Sequence, residues 1–115
     1  MLEMKKLKLL ITIVERGKGQ KVAEFLKTRQ IPIHIICLGH GTANSDLLNY
    51  LGLGEPEKDI VLSTIWAETA ATTVQKLADA LKLEQPGQGI AFTIPMGSVG
   101  GSKTLSFMAG KGKES

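Results

Sequence analysis

The side chains able to do chemistry in this sequence are few, and most stand alone. The two histidines, His34 and His40, lie 40 − 34 = 6 residues apart, and the chain has one cysteine, Cys37. A structural or catalytic metal site draws several ligands from close spacings such as C-x2-C or H-x3-H. No such spacing occurs here, so no metal site is expected. Cys37 sits in the apolar run Ile31–Leu38 and reads as a small buried hydrophobe. A reactive thiol needs a neighbouring cation or helix N-terminus, and strand alternation puts His34 on the opposite face. One cysteine allows no internal disulfide, and the protein reads as cytoplasmic. Ser45, Ser63 and Ser98 lack the G-x-S-x-G elbow of a nucleophilic serine. Glu55, Glu57 and Asp59 alternate along an extended segment and read as a solvated acidic stretch. No catalytic constellation emerges, and an enzyme is not expected.

Two glycine-rich segments carry more. Gly39-His40-Gly41-Thr42 leaves one apolar run, and Pro86-Gly87-Gln88-Gly89 enters another. Without a Cβ the backbone can approach a phosphate closely, and successive N–H groups can form an anion-binding nest. Each segment alone reads equally as plain turn chemistry.

The elements that must position these segments follow from periodicity. Leu7–Val14 is a strand, with Leu7, Leu9, Ile11 and Ile13 on one face and Lys8, Leu10, Thr12 and Val14 on the other. Glu15–Gly19 is a turn. Gln20–Gln30 is a helix carrying Val22, Phe25, Leu26 and Arg29 at helical spacing. Ile31–Leu38 is the second strand, and Gly39–Asn44 a turn. Asn44 or Ser45 caps a short helix with Leu47, Leu48 and Leu51. Asp59–Ile65 is the third strand, and Thr69–Leu81 a helix with the stripe Val74, Leu77, Ala78 and Leu81. Glu84–Gly89 is a tight turn before the fourth strand, Ile90–Met96, which Pro95 places at a sheet edge. Thr104–Met108 could add a short fifth strand.

A shift of 52 lays Leu10 on Leu62, Val22 on Val74 and Phe25 on Leu77, so strand–helix–strand occurs twice. The expected architecture is α+β: a ferredoxin-like βαββαβ sandwich whose four-stranded antiparallel sheet carries two helices on one face. Residues 1–96 form the domain, and 97–115 a flexible Gly/Ser/Lys-rich C-terminal segment. The sheet's other face, assigned here to Leu10 and Val14, needs cover, and self-association supplies it most simply. The connection Gly39–Lys58 is longer than a hairpin requires, which points to a functional loop.

Composition agrees with one soluble domain: 115 residues, 43% hydrophobic and 22% charged. The apolar runs are too short to span a bilayer, and no long apolar stretch follows Met1, so neither a membrane span nor a cleaved signal is expected. The net charge is +3, but aromatics are only 4%. Nucleic acid is therefore not an expected partner.

Together the two glycine segments resemble those of the PII and PII-like signalling proteins, over residues 7–96 in order. Gly39-His40-Gly41 matches the G-x-G at the base of the long PII T-loop. Pro86-Gly87-Gln88-Gly89-Ile90-Ala91-Phe92 is similar to the PII B-loop and following strand, G-D-G-K-I-F. The resemblance implies a homotrimer with sheets packed inward. It implies ATP, ADP or AMP as a regulatory ligand in clefts between subunits, with no other cofactor. The ligand-binding residues it implies are Gly39, His40, Gly41, Thr42, Gly87, Gln88, Gly89 and Lys103. It also implies a partner protein, such as a membrane transporter, regulated through the 39–57 loop.

The sequence departs from the pattern at several points. Ile90 replaces the B-loop lysine, Gln88 replaces the aspartate, and Lys103 alone stands in for C-terminal arginines. The 39–58 connection is shorter than a full T-loop, and Tyr50 lies in its predicted helix. Two alternatives share the architecture. One is a CutA-like trimer linked to divalent metals. The other is a small ferredoxin-fold enzyme, such as an acylphosphatase, with Arg16 where its phosphate-binding arginine would stand, or a cofactor-free monooxygenase.

Overall fold

Strand β1 (Leu7–Glu15) is the middle of the structure, because it is paired on both sides. The computed structural model of the chain describes residues 7–31, 34–40, 57–101 and 103–104. After β1 come α1 (Gly19–Thr28), β2 (His34–His40), β3 (Glu57–Trp66), α2 (Ala67–Leu81) and β4 (Ile90–Pro95). The sheet order is β2-β3-β1-β4, and every neighbouring pair is antiparallel. This is the ferredoxin-like arrangement of two interlocked split βαβ units. Among the described residues β4 pairs only with β1, so Pro95 stands at a sheet edge, where proline is tolerated.

The two helices cover one face of the sheet. Leu10 and Val14 of β1, with Val61 and Ile65 of β3, form the core with Val22, Leu26, Ala70 and Leu77 of the helices. Leu10 and Val14 thus lie on the helix-covered face, which corrects the expectation that they line the open one. Both faces of β1 are apolar, so alternation alone does not say which of them meets the helices. The deciding group is Asp59. It is the register partner of Val14 and lies on the same face.

The Asp59 carboxylate accepts hydrogen bonds from the Gly17 and Gly19 backbone N–H groups, both at 2.9 Å, and Asp59 is buried. Helix α1 has no capping side chain of its own at Lys18. Its orphan N–H groups and partial positive charge are met by a carboxylate from another strand. A Cβ at Gly19 would stand 2.9 Å from that carboxylate oxygen, so the approach depends on glycine there. The expected solvated acidic stretch is therefore wrong at Asp59. Glu57 is ion-paired with Arg16, and Glu55 lies outside the described residues.

The second strand begins later than expected. Helix α1 ends in a Schellman motif, with Gln30 left-handed at φ 66°. The Ile31 N–H bonds to Leu26 O at 3.0 Å, and the Gln30 N–H to Lys27 O at 3.0 Å. Ile31 is thus the buried residue that closes the helix end, not the start of β2. Gly39 and His40, expected in a turn, are the last residues of β2 and pair with Lys58 and Glu57.

The internal repeat is present in two registers. The buried positions coincide at 61 − 10 = 51: Leu10 on Val61, Thr12 on Ser63, Val22 on Thr73 and Leu26 on Leu77. The helix ends coincide at 82 − 30 = 52, since α2 also closes on a left-handed residue, Lys82. Lys103 and Thr104 are helical, where a strand from Thr104 was expected. The remainder of that segment, and the predicted helix after Asn44, lie outside the described residues.

The opposite sheet face is apolar and uncovered by these helices. Its central row is Ile35, Leu62, Ile11 and Phe92, one from each strand, and the next is Cys37, Ile60, Ile13 and Ile90. Ile35 is 51% exposed and Ile90 55% exposed. Cys37, read as a buried hydrophobe, is only half-buried on this face.

Two outcomes follow from these contacts. Asp59→Ala removes two charge-assisted hydrogen bonds and leaves a bare helix end, so it should cost about 2–3 kcal/mol of stability. Asp59→Asn, which keeps an acceptor, should cost roughly half of that. Urea unfolding of the two variants checks the order. His34 stands opposite Ser63 on the helix side of β2. Burial holds its imidazole below the usual 6.5, the backbone hydrogen bond at Ile31 opposes this, and Lys27 adds to the lowering. The folded state then binds the proton less well than the unfolded chain. Stability should be full above 6.5 and fall as the pH drops below it. Thermal melts from pH 7.5 to about pH 5 should show that slope, and His34→Gln should flatten it.

Candidate functional site

One end of the sheet collects the residues of interest. There β1 and β2 finish, β3 begins, and the 82–89 turn leads into β4. Gly39 pairs with Lys58, and Lys58 pairs with Glu15, so three strands contribute to one row. Antiparallel register continues that row toward Gln88, since Ile13 pairs with Ile90.

The 82–89 turn is built from its own backbone. Gln85 N–H bonds to Lys82 O at 3.0 Å, and Gln88 N–H to Gln85 O at 3.3 Å. Gly87 and Gly89 are left-handed, at φ 82° and 118°. A Cβ on Gly89 would lie 2.4 Å from the Ile13 carbonyl oxygen. Glycine at this position is therefore fixed by the packing of the turn onto β1 as well as by its dihedral. Gly39 is different: a Cβ there would meet the Ile60 Cδ1 at 2.7 Å, the movable tip of a side chain.

Between the turn and the sheet lies a cavity of about 400 Å³. Its apolar wall includes Ile13, Leu83, Pro86 and Ile90, and its ionisable lining is Glu15, Lys58 and Glu84. Lys18 stands beside it. Its Nζ is 3.1 Å from Glu15 Oε1 and 3.4 Å from Gln88 Oε1.

Of the sequence-predicted residues, Gly87 and Gly89 line the cavity and Gln88 contacts Lys18. Gly39 and His40 sit at the same end of the sheet but on the β2 edge. Three strand spacings, about 14 Å, separate that edge from β4. One chain therefore brings Gly39, His40 and the 82–89 turn to the same end of the sheet, with Gly39 and His40 on the far edge from β4. Gly41 and Thr42 lie outside the described residues. Lys103 is exposed and does not line the cavity. Arg16 is engaged by Glu57. Among the described residues, no group of three or more His, Cys, Asp or Glu side chains could hold a metal ion.

Sequence reasoning missed Lys18 and Lys58. Lys18 follows Gly17 in a turn that reads as a connector. Lys58 lay hidden in an acidic stretch. Its signal was alternation, because Lys58 and Ile60 share one face of β3, the face of Ile13.

The backbone is similar in shape to those of many solved structures, two of which are PII proteins. Arabidopsis thaliana PII bound to citrate aligns with a TM-score of 0.63 at 15% identity, covering 87% of this chain and 83% of that one. A GlnK–ATP complex from B. subtilis aligns with a TM-score of 0.60 at 11% identity, covering 81% of this chain and 85% of that one. The chain has the PII fold. No protein-family model matches the sequence, and no curated protein matches it significantly. The likeness to PII therefore lives in the course of the backbone more than in side chains.

The two glycines should separate by mutation. Gly89→Ala adds a left-handed strain and a clash with backbone, and should cost more than about 2 kcal/mol. Gly39→Ala needs only a shift of Ile60 and should cost about 1 kcal/mol or less. Denaturant midpoints of the purified variants measure both.

Proposed function

We propose that this protein is a PII-like signalling protein without catalytic activity. It assembles as a homotrimer and binds an adenine nucleotide in the cavity beside the 82–89 turn. It then regulates a partner protein through the segment between β2 and β3. The observation that carries the reading is the cavity itself. It lies under a glycine turn, in a fold shared with a protein solved in complex with ATP.

The open sheet face supports the assembly. Monomeric proteins rarely expose large contiguous apolar patches, and packing such faces together removes them from water at about 25 cal/mol per Å². Ile13 and Ile90 belong both to that face and to the cavity wall. Association there would close the outer side of the cavity, so assembly and ligand binding support one another. Ile13, Leu83 and Pro86 offer a flat apolar surface to a base, and Lys18 stands at the turn where an anionic group would meet the glycines. No helix of the described residues is long and apolar enough to cross a membrane.

Light scattering of the full chain should give the mass of three chains. Ile11→Glu, placed at the middle of the open face, should give monomers. Calorimetric titration with adenine nucleotides should show binding to the wild type. Lys18→Ala should weaken it about tenfold through loss of one charge-assisted contact. A monomeric wild type that binds no adenine nucleotide at millimolar concentration would overturn the reading.

A further inference from the structure

We infer that the cavity beside the 82–89 turn selects a nucleotide with one phosphate over a nucleotide with three. The inference rests on the proposed nucleotide site and concerns its charge. Two cations are in position, Lys58 in the lining and Lys18 at the turn. Two carboxylates stand with them, Glu15 and Glu84. Among the described residues of one chain, the site therefore carries no net positive charge.

Lys18, the cation at the turn, is not freely available for a string of phosphates. Lys18 Nζ is already 3.1 Å from Glu15 Oε1. Arg16, the next cation along the turn, is ion-paired with Glu57. The backbone is also partly used. The Gln88 N–H, central to the glycine turn, donates to Gln85 O at 3.3 Å. A phosphate arriving there would compete for a bond the turn makes with itself.

A monophosphate needs only a local contact, which Lys18 and the Gly89 N–H side of the turn can offer. Each further phosphate adds negative charge near Glu15 and Glu84, and the described lining residues offer it no further cation. Charge repulsion in a partly enclosed site is screened less than on an open surface. The apolar wall of Ile13, Leu83, Pro86 and Ile90 is indifferent to phosphate number. It supplies the binding common to all adenine compounds, and the carboxylates supply the discrimination.

The test is calorimetric titration of the full chain with adenosine, AMP, ADP and ATP at one fixed ionic strength. AMP should bind about tenfold more tightly than ATP, with ADP between them. Glu84 is exposed at the cavity rim, so Glu84→Lys should fold normally. It should raise ATP affinity and shrink the AMP-to-ATP ratio at least fivefold, and Glu84→Gln should give a smaller change in the same direction. ATP binding as tightly as AMP, or more tightly, overturns the inference and leaves the nucleotide site standing. A ratio unmoved by both Glu84 variants, with unchanged melting temperatures, overturns it too. If none of the four compounds binds, the nucleotide reading falls and takes this inference with it.

Discussion

A single carboxylate decides which way this sheet faces. Asp59 enters β3 beside Val14 of β1 and takes the N–H groups of Gly17 and Gly19. Those bonds hold the start of α1 over the face that Asp59 occupies. Val14, Thr12 and Leu10 follow onto the same face by alternation, and all three are buried. The other parity, Leu9, Ile11 and Ile13, is left to the open side. A buried carboxylate is costly unless it is hydrogen-bonded. Here the cost is offset by donors that the helix would otherwise leave unmet, and the glycine at 19 is what lets them approach.

From that placement the rest of the molecule follows in two directions. On the covered face, buried positions of the two strand–helix units coincide and make one core. On the open face, four strands each give an apolar residue to the row through Ile11, with Phe92 still 38% exposed. This row has no local partner in either helix. Apolar surface is thus left opposite the core, through Ile35, Phe92 and Ile90, and also at the β2 edge of the helix side, where Leu38 is 66% exposed.

How much of this could be read from the sequence depends on the physics behind each feature. The types and order of the four strands and two long helices were legible, because helical and strand periods differ and because Gly87 and Pro95 interrupt them where the chain turns or ends a strand. The two-faced character of the strands was legible too. Which face was covered was not, because Leu10 and Ile11 are equally apolar and the choice is made by a contact 42 residues away, between Asp59 and Gly17. The start of β2 was misread for a similar reason. Ile31 looks like a strand residue, but its burial comes from closing the Schellman turn of α1. Of the candidate site, the glycine turn before β4 was visible as a motif. Lys18 was not, since its partner Gln88 is 70 residues away and nothing local marks it.

The substitution of Ile90 for the lysine that the family resemblance implies now has a physical setting. Ile90 is the register partner of Ile13 and is 55% exposed on the open face. A lysine there would place an ammonium beside an otherwise apolar row, at a cost if that row is buried by association. Isoleucine extends the row instead. The cation at the turn comes from another part of the chain, Lys18, which reaches Gln88 from the β1–α1 connection. That route brings Glu15 with it, since the same Nζ bonds both groups. With isoleucine at 90 and the cation at the β1–α1 turn beside Glu15, the open face is uniform and the turn less positive. The apolar face and the cavity therefore meet at Ile90, since it belongs to both.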